Sequence, residues 1–163
     1  MSALLDRALH ILTLRDHSEA ELRRKLATPP VARQRFNQRQ GSGAQDTPAV
    51  TEAEIAAVID YCQQNDWLDD GRFALRYVTS RSKKGYGEQK IRMELLQKGV
   101  SRDIIDHAFS EAGIDRPAQA QEIAWKKFGQ PLSPDRDEKI KVQRYLLSRG
   151  FSYDEIRSIY INF

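Results

Sequence analysis

An internal repeat limits the folds that this chain can adopt. When Gly99 is aligned with Gly150, an apolar residue follows each glycine and a serine comes next, Ser101 in one copy and Ser152 in the other. Apolar residues also recur at matching helical positions on both sides of the two glycines. A further copy lies near the N-terminus, where Thr51 takes the place of the serines. A repeat of about 50 residues is typical of a tandem helical array.

The middle copy indicates how one repeat is built. Asp69 and Asp70 open a helix that ends in a basic loop between two glycines, the segment KKGYG at 83–87. A second amphipathic helix leads into Gly99, which suits a left-handed turn because glycine has no Cβ. Ser101 is expected to cap the third helix. No stretch alternates with period two, so the sequence predicts an all-α protein of three three-helix repeats in tandem.

The repeat pattern also predicts the domain boundaries. The first repeat covers residues 1–67, the second covers 68–115 and the third covers 116–163. Within the first repeat, an insertion occupies about residues 28–50. Between Arg33 and Pro48 it contains mainly arginine, glutamine and small residues. Because this composition cannot fill a core, we predict a flexible basic loop.

The composition indicates the environment of the protein. The N-terminus has no signal-peptide pattern, and no stretch approaches the ~20 apolar residues that a membrane span requires. Cys62 is the single cysteine, so an internal disulfide is excluded and a reducing compartment is favoured. We therefore expect a cytoplasmic protein that does not bind membranes, and we expect it to be a monomer.

The charges are arranged in bands along the chain. Residues 52–70 include six acidic residues and no basic one, and residues 103–115 include four acidic residues and no basic one. Between these segments, residues 72–102 carry nine basic residues against two acidic ones. The members of this basic band that we predict as contacts for a partner or for DNA are Arg72, Arg76, Arg81, Lys83, Lys84, Lys90 and Arg92.

The basic band has a structural interpretation as well. It could be a solvated helix face followed by a glycine helix end, and Arg81 could pair with Asp69 and Asp70 instead of contacting a partner. The sequence gives only a weak signal for a nucleotide-binding site in this loop. The loop lacks the Gly-Lys-Ser/Thr end of a phosphate-binding loop, and it follows a helix instead of a strand. Outside the band, the cations of the third repeat are expected to contribute less; these are Lys126, Lys127 and Lys139.

Other chemistries find little support in the sequence. A helix, a glycine turn and a helix resemble a helix-turn-helix, whose recognition helix would be the third of each repeat. In the middle repeat that helix exposes Asp103, Asp106 and Glu111, and carboxylates oppose entry into a phosphate-lined groove. The three histidines lack a second ligand at metal-binding spacing, and no catalytic pair is evident. We therefore expect no enzymatic activity, no metal and no cofactor.

The aromatic residues are expected to stabilise the fold. A base-stacking platform would place aromatic rings on an exposed basic face. The rings predicted to occupy core positions or to join repeats are Tyr61, Trp67, Tyr77, Trp125, Tyr145 and Tyr160.

Several of these segments resemble a known family. The segments LDD at 68–70, RFA at 72–74, KGYG at 84–87 and KGV at 98–100, with Arg81 between them, are similar to the signature of the RecX family. The opening RALHILTLRDHSEAELRRKL and the closing KIKVQRYLLSRGF resemble that family too. The resemblance covers nearly the whole chain outside the insertion.

The resemblance implies a function as well as a fold. It implies an elongated, curved array of three-helix repeats that binds RecA along the groove of the RecA–DNA filament, with weak direct DNA binding allowed. Inhibition of RecA's ATPase, strand-exchange and co-protease activities would follow from limiting filament growth or promoting filament loss. A second hypothesis stays open, in which the chain is a stand-alone nucleic-acid-binding helical module that uses the basic band on DNA alone.

Overall fold

The structure, a computed structural model, describes residues 2–28 and 50–161 of the chain, without the side chain of residue 161. These residues fold into nine helices and form no strand, which confirms the predicted all-α fold. The helices are α1 (Ala3–Leu14), α2 (Glu19–Ala27), α3 (Glu52–Gln64), α4 (Asp70–Lys83), α5 (Glu88–Gln97), α6 (Arg102–Ala112), α7 (Arg116–Phe128), α8 (Arg136–Ser148) and α9 (Tyr153–Ile161). The predicted flexible insertion lies almost entirely outside the described residues.

The chain forms two compact units, Met1–Phe73 and Ala74–Phe163. The division falls inside α4, four residues after the helix begins, by the count from Asp70 to Phe73. The first unit therefore contains α1 to α3, and the second contains α5 to α9. None of the helices in the described ranges is long and apolar enough to cross a membrane.

The first unit has an apolar core drawn from all three of its complete helices. Leucine and isoleucine side chains of α1 and α2 pack with one face of α3, and Leu68 closes the same cluster. Cys62 is a buried thiol in this cluster, and burial raises its pKa above the ordinary value. Cys62 is therefore a core residue of the first unit.

In the second unit, α7, α8 and α9 share a core of their own. Phe151, which directly follows the glycine turn, is completely buried there with Leu146 of α8 and Ile156 of α9. The corresponding residues of the preceding helices, Leu95 and Ile105, are also buried. This correspondence is what the aligned apolar positions of the sequence predict.

Polar caps set the start of the third helix of each repeat. The hydroxyl oxygen of Ser101 accepts a hydrogen bond from the Ile104 amide, and Thr51 caps α3 in the same way. Ser152 and Glu155 form a reciprocal capping box, since each side chain accepts from the other residue's amide. The serine and threonine signals in the sequence are therefore confirmed as helix caps.

The glycines at the repeat turns adopt the predicted backbone conformation. Gly99 has a φ of 80° and Gly150 a φ of 99°, both in the region that disfavours residues with a Cβ. In both turns the apolar residue after the glycine donates its amide to the helix: Val100 to Leu95 and Phe151 to Leu146. This pattern ends α5 and α8 in the same way.

Some apolar residues occupy positions that the sequence did not predict. Tyr61 and Trp67 form an edge-to-face pair with centroids 5.8 Å apart, but they are 36% and 42% exposed. Neither ring is buried in the core, so of the two predicted positions, in the core or between repeats, the core position does not apply to them. Leu96, aligned with a buried stripe, is 47% exposed because its neighbour Leu95 takes the inward position on α5.

Candidate functional site

The structure distributes the seven predicted contact residues over two units. Arg72 belongs to the first unit, and the other six belong to the second. Arg76, Lys83 and Lys84 have exposed side chains, whereas Arg81, Lys90 and Arg92 are partly buried. The basic band of the sequence is therefore not a uniform surface.

Arg81 is held inside the second unit. Its guanidinium donates hydrogen bonds to both carboxylate oxygens of Glu94, at 3.2 Å, and it lies 4.0 Å from the ring centroid of Tyr86. Tyr77 donates its hydroxyl to the same carboxylate at 2.8 Å. Arg81 therefore joins the end of α4 to α5, and the partner that holds it is Glu94 rather than Asp69 or Asp70.

Arg92 is likewise part of an internal network. Its guanidinium donates to Glu88 at 2.9 Å and to Asp106 at 2.6 Å. Burial acts to lower the pKa of Arg92, but the hydrogen bonds to Asp106 and Glu88 outweigh it and raise the pKa above its usual value. Arg116 also pairs with Glu88. The two acidic residues within the basic band, Glu88 and Glu94, thus bind arginines of the same unit.

The acidic pair before α4 has a structural role. Asp69 accepts a hydrogen bond from the Arg72 amide at 3.1 Å, which caps α4. Asp70 accepts from the Glu19 amide at 2.7 Å and so reaches the first turn of α2. Burial raises the pKa of Asp70, although this hydrogen bond acts in the opposite direction. The segment LDD therefore connects two helix N-termini within the first unit.

The loop that contains Gly87 and the turn at Gly150 contact each other through their backbones. The Gly87 amide donates to the Arg149 carbonyl at 2.7 Å, and the Gln89 amide donates to the Gly150 carbonyl at 3.1 Å. A Cβ on Gly87 would lie 2.6 Å from the Gly150 carbonyl, and a Cβ on Gly150 would lie 2.5 Å from the Cβ of Lys90. We call this contact the glycine joint; side chains larger than hydrogen do not fit at either glycine.

Three basic side chains contact the ring of Tyr86 beside the glycine joint. Its ring centroid lies 4.0 Å from the guanidinium of Arg81, 4.8 Å from the ammonium of Lys90 and 4.8 Å from the guanidinium of Arg149. Cations at such distances are attracted by the negative face of the ring. Tyr86 of the loop KGYG thus contacts basic side chains from both segments of the glycine joint: Arg81 and Lys90 beside Gly87, and Arg149 beside Gly150.

A cleft lined by cations opens beside this loop. It has a volume of about 290 Å³. We call it the cationic cleft. Its charged lining residues are Lys83, Lys84, Lys126, Lys127 and Arg149. Among the described residues that line it there is no carboxylate. Three of these cations come from α7 and the end of α8, far from the basic band in sequence.

This combination of residues was not predictable from the charge band of the sequence. Lys126 and Lys127 were expected to contribute less than the band, yet they line the same cleft as Lys83 and Lys84. Arg149 was not singled out at all, although it precedes Gly150 as Lys98 precedes Gly99. The repeat alignment contained that signal for Arg149; nothing in the sequence indicated which lysines of α7 would face the loop.

The described part of the chain contains no group of three or more His, Cys, Asp or Glu residues that could hold a metal ion. What the cleft can do chemically follows from its ammonium and guanidinium groups, which attract and hydrogen-bond anionic oxygens. The fold and the cleft together define a tandem helical-repeat protein with a concentrated cationic surface.

Comparison with known proteins identifies the family. The pattern of the second three-helix domain of RecX matches residues 69–108, and that of the third three-helix domain matches residues 115–159. The chain is 52% identical to the regulatory protein RecX of Serratia proteamaculans and 49% identical to that of Yersinia enterocolitica. Each alignment covers 100% of this chain and 99% of the relative. The chain belongs to the RecX family.

A solved structure is similar in fold. The crystal structure of RecX from Lactobacillus salivarius superposes with a TM-score of 0.74 at 22% sequence identity, covering 98% of this chain and 93% of the other. The tandem arrangement of three-helix domains predicted from the sequence is thereby confirmed as the fold of the family. The exact boundaries of the repeats, at residues 67/68 and 115/116, stay predictions.

Proposed function

We propose that this chain binds RecA and the RecA–DNA filament and inhibits the activities of RecA. Limiting filament growth or promoting filament disassembly would lower ATP hydrolysis, strand exchange and co-protease activity together, because all three depend on the filament. The observation that carries the proposal is family membership, since relatives named regulatory protein RecX align over the full chain. A protein of this kind acts by binding in the cytoplasm and needs no catalytic activity or cofactor of its own.

The exposed members of the basic band are the proposed contacts. Lys83 and Lys84 form no ion pair with any described residue and sit at the edge of the cationic cleft. Arg76 is exposed on α4, about two turns before the helix ends at Lys83. Lys90 of the same unit and Arg72 of the first unit are further proposed contacts. Arg81 and Arg92 are held by ion pairs with Glu94, Glu88 and Asp106.

Charge reversal tests this assignment. The triple variant Arg76→Glu, Lys83→Glu, Lys84→Glu should abolish inhibition of RecA's DNA-dependent ATPase, because it replaces attraction to phosphates or acidic side chains by repulsion. Inhibition by the parent chain should also weaken steeply with salt, since exposed charges are screened over ~8 Å at physiological ionic strength.

A matched control keeps the change in net charge equal. Lys139, Lys141 and Arg144 are exposed on α8 and do not line the cationic cleft. Reversal of these three to glutamate should leave most of the inhibition intact. Full inhibition by the first triple variant, with unchanged helical content, would show that the basic band is a solvated face and that RecA is contacted elsewhere.

The alternative function is a stand-alone nucleic-acid-binding module. The observation that favours it is the absence of carboxylates among the described residues that line the cationic cleft. Under this alternative the chain would bind free DNA as tightly as DNA coated with RecA. Under the proposed function the chain acts on the filament as a monomer, and it would bind DNA coated with RecA more tightly than free DNA.

A further inference from the structure

We infer that a cavity between α8 and α9 is a docking site, separate from the proposed RecA contact, for an acidic peptide segment of a partner protein. The cavity has a volume of about 520 Å³, and we call it the α8–α9 pocket. The residues that line it are Lys139 and Gln143 of α8 and Tyr153, Ile156, Arg157 and Tyr160 of α9. None of these residues belongs to the basic band or to the cationic cleft.

The α8–α9 pocket combines an apolar floor with a charged rim. Helical spacing places the lining residues of α9 on one face of that helix. Ile156 is buried at the floor, in the core that α7, α8 and α9 share, whereas Tyr153 is 56% exposed. The ammonium of Lys139 lies 5.1 Å from the ring centroid of Tyr160, and the side chain of Arg157 is exposed. A ligand in the pocket therefore meets aromatic and aliphatic surface beside two cations.

The second repeat shows how the equivalent place is closed. In the repeat alignment the lining residues correspond to Glu88, Arg92, Arg102, Ile105, Asp106 and Phe109. There Arg92 connects two helices, since it donates to Glu88 of α5 and to Asp106 of α6. Its guanidinium also lies 4.9 Å from the ring centroid of Phe109. Arg116 of α7 pairs with Glu88 and lies 5.9 Å from the same centroid, so two arginines cover this ring.

The third repeat lacks this closing network. The residues at the positions of Glu88, Arg92 and Asp106 are Lys139, Gln143 and Arg157. Two cations thus replace the carboxylates, and a neutral amide replaces the guanidinium that joins them. An ion pair between α8 and α9 cannot form from these three side chains, and the two like charges line one cavity. The change of residues leaves open a place that the second repeat fills from within.

The lining selects a ligand that carries a carboxylate next to an apolar group. A carboxylate between Lys139 and Arg157 would accept charge-assisted hydrogen bonds from both helices. Asp154 pairs with Arg157 at 2.5 Å, but the Asp154 side chain is 89% exposed, so this pair is weak and readily exchanged. An adjacent aromatic or aliphatic side chain of the ligand would lose contact with water against Ile156 and the tyrosine rings.

The fold itself favours a polypeptide as the occupant. In the second repeat the equivalent surface is covered by Arg116, which belongs to the next helix along the chain. A partner segment that presents an acidic side chain would make this kind of contact with the charges inverted. The volume lies within the ~300–1,000 Å³ of small-ligand sites, so the pocket accepts side chains of a short segment and not a folded domain.

Titration of the isotope-labelled full chain with short peptides, followed by NMR chemical shifts, tests the inference. The probe is an acetylated and amidated hexapeptide that alternates aspartate and phenylalanine. Shift changes should concentrate at the backbone amides of the residues that line the α8–α9 pocket. A control peptide with asparagine in place of aspartate should bind about tenfold more weakly, because it loses the hydrogen bonds between charged groups.

A variant that rebuilds the closing network provides a sharper test. Lys139→Glu, Gln143→Arg, Arg157→Asp places the charges of the second repeat at the aligned positions. This closed variant should lose binding of the acidic peptide and keep the helical content of the parent. Lys141→Glu, Arg144→Ser changes the net charge equally at exposed positions of α8 outside the pocket and should keep most of the binding. Lys139→Ala, Arg157→Ala, which alters only exposed side chains, should weaken binding about tenfold.

Several results would overturn the inference. These are equal binding of the asparagine peptide, unchanged binding to the closed variant, and shift changes confined to the cationic cleft. Displacement of the hexapeptide by equimolar phenylacetate would also overturn it, because the pocket would then be a site for a small aromatic acid. The closed variant should inhibit RecA's ATPase as the parent does, since its changes lie outside the basic band. Loss of that inhibition would assign the pocket to the RecA contact and contradict a separate docking site, whereas failure of peptide binding would leave the proposed function untouched.

Discussion

The two units share one means of connecting their helices, and the second unit shows a further one. In the first unit, polar side chains make the connections: Asp70 accepts from the Glu19 amide, and His17 bridges the Arg15 carbonyl and the Lys25 ammonium. The second unit has side-chain connections too, such as Arg81 with Glu94, but it also has a direct backbone contact between the segments of Gly87 and Gly150. The first kind of connection depends on hydrogen-bonding capacity and protonation, whereas the second depends on the absence of a Cβ. Each should therefore fail under a different perturbation.

The largest effect is expected at the glycine joint. Gly150→Ala should destabilise the chain by about 3 kcal/mol, because a Cβ at a φ of 99° is strained and would also lie 2.5 Å from the Cβ of Lys90. Thermal or urea unfolding measures this loss. Gly99→Ala is the matched control, since Gly99 has a similar φ of 80° but is exposed. Gly99→Ala should cost only about 1 kcal/mol. Equal losses of stability in the two variants would mean that the close contact at the glycine joint adds nothing to the cost of the strained backbone.

A smaller loss is expected in the first unit. Asp70→Ala removes the acceptor for the Glu19 amide and should cost about 1–2 kcal/mol. Asp70→Asn keeps an oxygen that can accept this bond without a charge, and burial already favours the neutral form by raising the pKa of Asp70. The asparagine variant should therefore retain most of the stability in urea unfolding. A loss as large as that of the alanine variant would assign the role to the carboxylate charge.

The smallest effect is a dependence of the first unit on pH. His17 is buried, and burial together with the charges of Arg15 and Lys25 lowers its pKa, although Glu21 and the hydrogen bond to Arg15 oppose this. A neutral ring can donate from Nδ1 to the Arg15 carbonyl at 2.9 Å and accept from Lys25 at 2.8 Å. Protonation would set Nε2–H against the ammonium group of Lys25.

The sign of this dependence follows from linkage. Because the folded state binds fewer protons than the unfolded chain, the stabilisation is present above the unfolded pKa of about 6.5 and is lost as the pH falls through the lowered folded value. Amide hydrogen exchange should therefore become less protected in α2 below about pH 6 while α8 changes less. His17→Gln should remove the dependence. A parent and variant with the same pH profile in α2 would exclude His17 as its source.

Much of the fold could be predicted from the sequence because it is encoded locally. Ser101 and Ser152 cap helices wherever they precede an apolar stripe, and Gly99 and Gly150 turn the chain for reasons contained in a few residues. The exposure of Trp67 was not predictable, because whether a ring fills the core depends on neighbours that the local pattern does not specify.

The candidate site was predicted only in part. A band of charge along the sequence indicates how many cations are near one another, but not which of them are neutralised. Arg81 and Arg92 form ion pairs that depend on the packing of α4, α5 and α6. Lys126 and Lys127 reach the cleft because the glycine joint brings distant segments together. Contacts of this kind depend on tertiary structure, which short sequence motifs do not encode.

The central claim is that this chain acts on RecA filaments, and its most direct test compares two affinities. Binding of the labelled chain to single-stranded DNA coated with RecA and to the same DNA without RecA should be measured at physiological salt. The proposed function predicts much tighter binding to the coated DNA, and the Arg76→Glu, Lys83→Glu, Lys84→Glu variant should lose most of it. Equal affinity for coated and free DNA would contradict the claim and favour the stand-alone nucleic-acid-binding module.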